Sequence, residues 1–426
     1  MSDYLPAELI VEILIRVPAK IVPRCKCVCK RWNSLISNPH FATTYLAHSK
    51  QRPYHLFRRL DQETGEELFT LHPSDNPDNP FPRNYHLKNL NRSDPAFHIN
   101  LLRLAQEVKD KGGFFGCSSD YIKLNCPYKI KARYGQYFHE IVGSVNGLIC
   151  MVDSSYFSID DNYYLWNPSI NRSMQLPRPK YHDQPKSNSF FGFGYHAPTD
   201  DYILVRLTYL KYCYSPVVDI YTLNTGGWCS AKAQPSAQYI IDSFGSVVVN
   251  GALHWLAYTP EYAYHNLIVS FDLGNEGNEV VFHEVPVPKI LEGAPPLSMM
   301  NIAVLNGLLT LHGGQPEQSV DRGGREDWLV KEHAVWVMKE YNVVKSWTKL
   351  YVIDVGENFV RVVGFKKNGE LLITMEDDKD KGLLLYAPNG RRGRPCTDLY
   401  ISGLSRSFYL DNYVESLVLL KKNTEK

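Results

Sequence analysis

The sequence predicts a mostly β protein in which a small all-α module at the N-terminus precedes a large β-propeller. Three observations lead to this prediction: proline-bounded helical periodicity over the first 50 residues, alternating apolar residues from about residue 140, and turns that recur at a regular spacing. The 426 residues, 44% of them hydrophobic and 21% charged, have the composition of an ordinary soluble globular chain. The length is sufficient for both parts.

Prolines bound three predicted helices at the N-terminus. Pro6 begins the first helix and Pro18 ends it, Pro23 begins a second that runs to about Ile36, and Pro39 begins a third. The first helix is apolar nearly all round, so part of its surface must be covered by something outside the module. The second is amphipathic, with basic residues mostly opposite its apolar stripe.

Positive charge is concentrated in this N-terminal region. Between Glu12 and Asp61 there are ten Lys and Arg residues and no acidic residue, whereas the remainder of the chain is net acidic. Such a region can face nucleic acid, an anionic membrane or an acidic protein, or can be a solvated face without a partner. The basic helix lacks an arrangement of side chains for reading base edges, so we expect no nucleic-acid partner. No run of about 18 uncharged apolar residues is present, so we expect neither a membrane span nor a secretory signal.

The nine cysteines are odd in number and scattered, which does not indicate a disulfide framework. We therefore expect a reducing compartment, the cytosol or the nucleus. Cys25, Cys27 and Cys29 are close in sequence, but on one helix Cys25 and Cys29 would share a face while Cys27 points away. No Cys or His pair follows at zinc spacing, so we expect no metal and no cofactor.

Asn-Gly turns precede apolar strands throughout the second part of the chain, and Asn-Gly supplies the positive φ angles of a two-residue hairpin. These turns, together with one Asp-based turn, recur every 50 to 62 residues: Asn146-Gly147, Asp200-Asp201, Asn250-Gly251, Asn306-Gly307 and Asn368-Gly369. An aromatic strand residue follows each turn after 18 to 30 residues: Trp166, Tyr221, Phe271, Trp336 and Tyr386. Two hairpins per unit give four strands, as in a propeller blade. Five blades are countable, and residues 51 to 140 have room for one or two more. The sequence thus predicts six or seven blades, closed by a strand at Val414 to Leu420.

Three N-terminal segments have fixed spacings that agree with one known motif. They are Leu5-Pro6-Ala7-Glu8-Leu9, Arg24-Cys25-Lys26-Cys27-Val28-Cys29-Lys30-Arg31-Trp32 and Pro39-His40-Phe41. This pattern resembles the F-box, and it departs from the family at Pro23, where a helix former is usual. The resemblance implies a three-helix module that docks to the acidic Skp-type linker protein of a cullin-RING ubiquitin ligase. It also implies that one set of residues fills the apolar interface, with Lys30 beside it: Leu5, Pro6, Leu9, Ile13, Val28, Cys29 and Trp32.

Four further segments resemble the plant F-box-associated, kelch-like domain: Leu165 to Ser169, Asn250 to Trp255, Val335 to Trp347 and Tyr413 to Leu417. Gly-Gly doublets do not recur at a fixed blade position, unlike in strict kelch repeats. The resemblance implies an F-box over residues 1–48, a kelch-like propeller over 49–421 and a tail over 422–426.

The histidines do not form a catalytic arrangement with a recognisable nucleophile, metal pair or phosphate loop. We therefore expect a non-catalytic adaptor that binds a protein target and, through the linker, cullin and RING proteins. Candidate target-reading loops are Pro73 to Asn84, Gly313 to Trp328 and Pro388 to Pro395, although plain surface loops explain them equally well. Two alternatives stay open: a propeller binding or scaffold module outside any ligase, for instance lectin-like, and an S-locus F-box protein of pollen recognition.

Overall fold

The computed structural model describes residues 5–61, 64–73, 121–128, 140–153, 162–179, 186–210, 216–230, 239–241, 245–259, 265–273, 282–292, 300–320, 326–353, 359–366, 368–375, 382–388 and 396–418. Within these residues a helical module precedes six β-sheets. None of the described helices is long and apolar enough to cross a membrane.

The helical module contains α1 (Ala7–Leu14), α2 (Val22–Cys25), α3 (Lys30–Ser37) and α4 (Pro39–Ser49). Pro39 occupies the first turn of α4, where its missing N–H costs nothing, and the Asn38 side chain accepts a hydrogen bond from His40 N. The module has its own apolar core, to which two residues from outside the module contribute. These core residues are Ile10, Leu14, Ile15, Ala19, Val22, Ile36, Phe41 and Tyr45, with Ile170 and Leu417 from the rest of the chain.

The continuous second helix predicted from Pro23 to Ile36 is wrong, because the chain leaves the helix after Cys25 and starts another at Lys30. Cys29 is extended, with φ −162° and ψ 166°, and its Sγ accepts a hydrogen bond from Trp32 N at 3.5 Å as the N-cap of α3. Cysteine and valine are weak helix formers, and a capping side chain favours an extended residue at this point. Cys25 and Cys29 therefore do not share a helix face.

The strands form six antiparallel sheets, numbered here as blades 1 to 6 in ring order. Blade 1 contains β1 (Tyr54–Leu60), β2 (Glu67–Pro73), β3 (Ile122–Leu124) and the C-terminal β25 (Tyr409–Tyr413); blade 2 contains β4 (Glu140–Val145), β5 (Leu148–Asp153), β6 (Asn162–Asn167) and β7 (Arg172–Gln175). Blade 3 contains β8 (Lys186–His196), β9 (Asp201–Leu210), β10 (Val217–Thr222) and β11 (Gly227–Ser230). Blade 4 contains β12 (Ile240–Ile241), β13 (Val247–Val249), β14 (Ala252–Thr259), β15 (His265–Asp272) and β16 (Phe282–Pro286), and α5 (Lys289–Glu292) follows it. Blade 5 contains β17 (Met300–Leu305), β18 (Leu308–Val320), β19 (Glu326–Met338) and β20 (Trp347–Ile353); blade 6 contains β21 (Phe359–Phe365), β22 (Leu371–Met375), β23 (Gly382–Tyr386) and β24 (Cys396–Ser402).

The six blades form a closed β-propeller. Neighbouring blades contact each other through their first strands or the adjacent second strands, in the cycle β25, β4, β8, β13, β17, β18, β21 and back to β25. Blade 1 takes its first strand from the C-terminal part of the chain: β25 pairs with β1, with Tyr413 opposite Tyr54 and Tyr409 opposite Arg58. In this pairing β25 and β1 each cover a backbone edge of the other strand that would otherwise be open to another chain. The prediction that Val414 to Leu420 closes the ring is wrong, because the closing strand ends at Tyr413.

The predicted hairpin turns are confirmed in blades 2, 4 and 5. The Asn and Gly of each have positive φ: 46° and 84° at Asn146-Gly147, 51° and 77° at Asn250-Gly251, and 52° and 80° at Asn306-Gly307. The five predicted aromatic residues all lie on third strands, namely Trp166 on β6, Tyr221 on β10, Phe271 on β15, Trp336 on β19 and Tyr386 on β23. Third strands have blade neighbours on both sides, which favours large apolar side chains.

The two ends of the ring differ. In blades 2 to 6 the first hairpin turn lies where the first strand ends. The helical module is followed by β1, and β1 begins beside the end of β25, which is the first strand of blade 1. The module therefore lies at the same end of the ring as the hairpin turns. At the other end, called the far end, β18 and β19 pair beyond the residues that β17 and β20 cover. The predicted loop Gly313 to Trp328 is thus largely a β-hairpin, with a register shift at Gln315 and Pro316. Apart from Pro73 and Pro388, the other two predicted loops lie outside the described residues.

Candidate docking surface

Large apolar side chains are exposed on one part of the helical module. Five of the twelve exposed large hydrophobic residues of the described chain lie within residues 5–28. They form what we call the docking surface: Leu5, Leu9, Ile13, Ile21 and Val28, with 41%, 49%, 51%, 38% and 60% exposure. Such a concentration of exposed apolar surface is typical of a protein interaction site.

Helix α1 positions the first part of this surface. Ile10 and Leu14 are four residues apart and point into the module core, where both are buried. Leu9 and Ile13 have the same spacing and lie on a neighbouring side of the helix, which faces solvent. The apolar character all round this helix therefore divides into a core face and a free face.

The interrupted second helix positions the other part. Because Cys29 leaves the helical conformation, the preceding turn exposes Val28 more than any other large hydrophobic residue in the described chain. Cys29 itself is half-buried, and so is Trp32, which packs against the module core. Pro6 and Lys30 are exposed. Six of the eight predicted contact residues are therefore on the surface, whereas Cys29 is half-buried and Trp32 packs against the module core.

Ile21 belongs to the exposed set but was not predicted from the sequence. It precedes α2 and stands between Ala19 and Val22, both of which are fully buried. A signal was available, because a chain turning into a helix cannot direct Ala19, Ile21 and Val22 all inward.

Positive side chains border the docking surface. Lys20, Arg24 and Lys30 are exposed, and Lys26 and Arg31 are half-buried. The acidic Glu12 on α1 pairs with Arg16 one turn later. An apolar surface with a basic border favours a partner that is apolar at the contact and acidic around it.

Cys25 and His254 have structural surroundings and do not form a catalytic or metal site within the described residues. Burial raises the pKa of the Cys25 thiol, which lowers its reactivity as a thiolate. Within the described ranges, no group of three or more His, Cys, Asp or Glu residues could hold a metal ion. In the propeller, burial lowers the pKa of His254 to about 4, and its Nε2 lies 2.7 Å from the Tyr341 hydroxyl. At neutral pH His254 is therefore an uncharged, hydrogen-bonded core residue.

Comparisons with known proteins agree with this architecture. The model of the F-box domain matches residues 3–44, and that of the F-box associated beta propeller domain matches residues 104–393. The chain belongs to the F-box-associated β-propeller family. Two relatives from Arabidopsis thaliana are "F-box/kelch-repeat protein At3g23880", 27% identical over 96% of this chain and 95% of that protein, and "F-box protein CPR1", 26% identical over 97% and 89%. A solved structure of a mutant of AofleA from Arthrobotrys oligospora matches with a TM-score of 0.37 and 10% identity, over 63% of this chain and 74% of that chain.

The helical module is thus the F-box, and the six blades are its associated propeller. F-box proteins are typically non-catalytic adaptors, and an F-box generally implies a Skp-type partner.

Proposed function

We propose that this chain is the substrate-recognition subunit of a Skp-cullin-F-box ubiquitin ligase. The observation that carries the proposal is the docking surface, where Leu9, Ile13 and Val28 are each about half exposed or more on a module with a closed core. The F-box docks to the Skp-type linker protein, which connects it to the cullin and RING proteins. The propeller binds a protein target for ubiquitination.

The mechanism is proximity. A target held by the propeller is placed close to the ligase's ubiquitin carrier, so its effective concentration rises without chemistry in this chain. The far end of the ring is the target-binding end in this proposal, because the F-box occupies the other end and the β18–β19 hairpin extends from the far end.

We also propose that the chain works in the cytosol or the nucleus. Cys25, Cys27, Cys150, Cys229 and Cys396 are free thiols in the structure, and Cys27 and Cys229 are exposed. Free exposed thiols are compatible with the reducing conditions of these compartments.

Calorimetric titration of the full chain with purified Skp-type linker protein tests the proposal. We expect saturable binding that weakens thirty-fold or more in the double variant Leu9→Ala, Ile13→Ala, because two interface anchors of about 1 to 2 kcal/mol each are lost. Both positions are exposed, so the folded state is preserved.

The matched control is Leu350→Ala with Val352→Ala on the outer strand of blade 5. These two side chains are similarly exposed, at 41% and 37%, but lie outside the F-box. We expect this variant to bind like the wild type. Absence of binding by the folded wild type would contradict the ligase role and leave a propeller binding or scaffold module. Equal weakening in both variants would show that the docking surface is not the contact.

A further inference from the structure

Residues 414–418, here called the C-terminal brace, leave the propeller after its closing strand and lie between blade 2 and the F-box. On the blade 2 side, the amide of Asn167 donates hydrogen bonds to the carbonyl oxygens of Ser416 at 3.1 Å and Val418 at 3.0 Å. Asn167 is fully buried, and its own Oδ1 accepts from Ser169 N at 3.0 Å. The brace is therefore held by a buried polar network and not by sheet pairing.

The first turn of blade 2 is shaped to receive the brace. A Cβ on Gly147 would lie 2.2 Å from Ser416 Oγ and 2.8 Å from the Val414 carbonyl oxygen. Gly147 also has φ +84°, so this glycine is required both by the hairpin and by the close approach of the brace.

On the F-box side the brace supplies one half-buried carboxylate and one buried apolar side chain. Glu415 Oε2 accepts a hydrogen bond from Ala19 N at 3.5 Å and lies 3.3 Å from the Tyr45 hydroxyl. That hydroxyl also donates to the Val17 carbonyl at 2.9 Å. Leu417 is 2% exposed and packs in the F-box core with Ile170 of blade 2.

The direct chain connection between the two domains is short but single. Residues 50–53 join the end of α4 to the start of β1. A single covalent connection permits rotation about its dihedral angles, whereas two connections on different elements fix an orientation. The brace, together with Ile170 of blade 2, adds non-covalent contacts to this covalent connection.

We propose that the C-terminal brace, through Glu415 and Leu417, holds the F-box in one orientation relative to the propeller. The docking surface and the far end of the ring then face fixed directions. Glu415 and Leu417 are positioning residues, since neither belongs to the docking surface. The use of this fixed orientation in ubiquitin transfer rests on the proposed function, but the orientation itself does not.

Double electron-electron resonance, which measures the distance between two spin labels, tests this inference on the full chain. Ketone-bearing amino acids at the exposed positions Ser34 on α3 and Lys339 in blade 5 accept spin labels without involving the native cysteines. We expect one narrow distance distribution for the otherwise wild-type chain. Glu415→Ala should broaden it at least twofold, and Leu417→Ala should broaden it as well.

Glu415→Gln is the conservative variant, because its amide oxygen still accepts from Ala19 N and keeps the same place beside the Tyr45 hydroxyl. It should keep the narrow distribution, which a merely charge-based role would not predict. The matched control is Glu284→Ala, which removes another Tyr–Glu hydrogen bond, from the Tyr239 hydroxyl at 2.6 Å, but within blade 4. It should also leave the distribution narrow.

Titration with the linker protein separates the possible failures. Binding by Glu415→Ala within twofold of the wild type, together with a broadened distribution, supports the brace as an orienting element. Distributions as narrow as the wild type in both Glu415→Ala and Leu417→Ala would overturn the inference. Loss of linker binding in Glu415→Ala, while the wild type still binds, would also overturn it, since the brace would then be needed to fold the F-box. A wild type that is narrow but does not bind the linker would refute only the proposed function.

Discussion

The F-box and the propeller use apolar side chains in opposite ways. In the propeller, apolar residues of adjacent blades pack together, as in the cluster of Leu253 and Trp255 of blade 4 with Phe190 of blade 3. In the F-box, helix α1 has one apolar face in the core and another, at Leu9 and Ile13, in solvent. The propeller buries apolar side chains between adjacent blades of its closed ring. The F-box leaves part of its own apolar surface exposed, where a partner can cover it.

A leucine-to-alanine substitution should have very different effects on the free energy of unfolding in the two regions, and this is the largest effect that we expect. Leu253 is fully buried in the contact between blades 3 and 4, whereas Leu9 is 49% exposed. Leu253→Ala should lower the free energy of unfolding by about 2 to 5 kcal/mol, because it removes buried methyl groups and leaves a cavity. Leu9→Ala should change it by no more than about 0.5 kcal/mol. Urea unfolding followed by tryptophan fluorescence measures both, and a comparable loss in Leu9→Ala would mean that its side chain packs in the native chain.

The closing strand β25 makes a polar contact with blade 2 that should make the free energy of unfolding depend on pH. Asp411 on β25 accepts hydrogen bonds from the Tyr409 hydroxyl at 2.7 Å and from Ser144 N of blade 2 at 3.2 Å. Burial nevertheless raises the pKa of Asp411 from 3.8 to about 6. The folded state therefore binds this proton more tightly than the unfolded state, so the stabilisation is complete at low pH and is lost as the pH rises through about 6.

Comparison of the wild type with Asp411→Asn isolates this contribution. Between pH 7.5 and pH 5 the free energy of unfolding of the wild type should rise relative to that of the variant by about 1 kcal/mol. The Tyr409 hydroxyl does not titrate in this window, because burial and the neighbouring Asp411 raise its pKa well above 10. Urea midpoints at four pH values measure the difference. Parallel pH profiles would show that Asp411 keeps an ordinary pKa.

The local pattern of the propeller could be predicted from the sequence, because it depends on neighbouring residues. Asn146-Gly147 has the two positive φ angles that a hairpin requires, and Trp166 comes at the strand position that the alternation indicates. The closing strand could not be located, because Tyr409 to Tyr413 and the residues after it are similarly rich in apolar and aromatic side chains. Which of them pairs with β1 depends on contacts more than 300 residues apart in sequence, such as that of Arg58 with Ser407.

The candidate site shows the same limit. Leu9 and Ile13 were predicted as surface residues from a motif, and the helix periodicity already separates them from Ile10 and Leu14. The contact of Glu415 with Ala19 joins residues 396 positions apart, and nothing in the local sequence around Glu415 indicates it.

The smallest expected effect concerns the interruption at Cys29, where sequence periodicity predicted a continuous helix. The Cys29 Sγ is a weak acceptor for Trp32 N, whereas a serine hydroxyl is among the preferred N-cap groups. Cys29→Ser should therefore stabilise α3 by about 0.5 to 1 kcal/mol. Hydrogen exchange of the amides of residues 30–37 should slow by about two- to five-fold relative to the wild type, since 1.4 kcal/mol corresponds to a factor of ten. Cys29→Ala is the matched control and should speed the same exchange, because it removes the cap. Equal exchange rates in the serine and alanine variants would show that the side chain at this position does not cap the helix, and that the conformation of residues 26–28 alone separates α2 from α3.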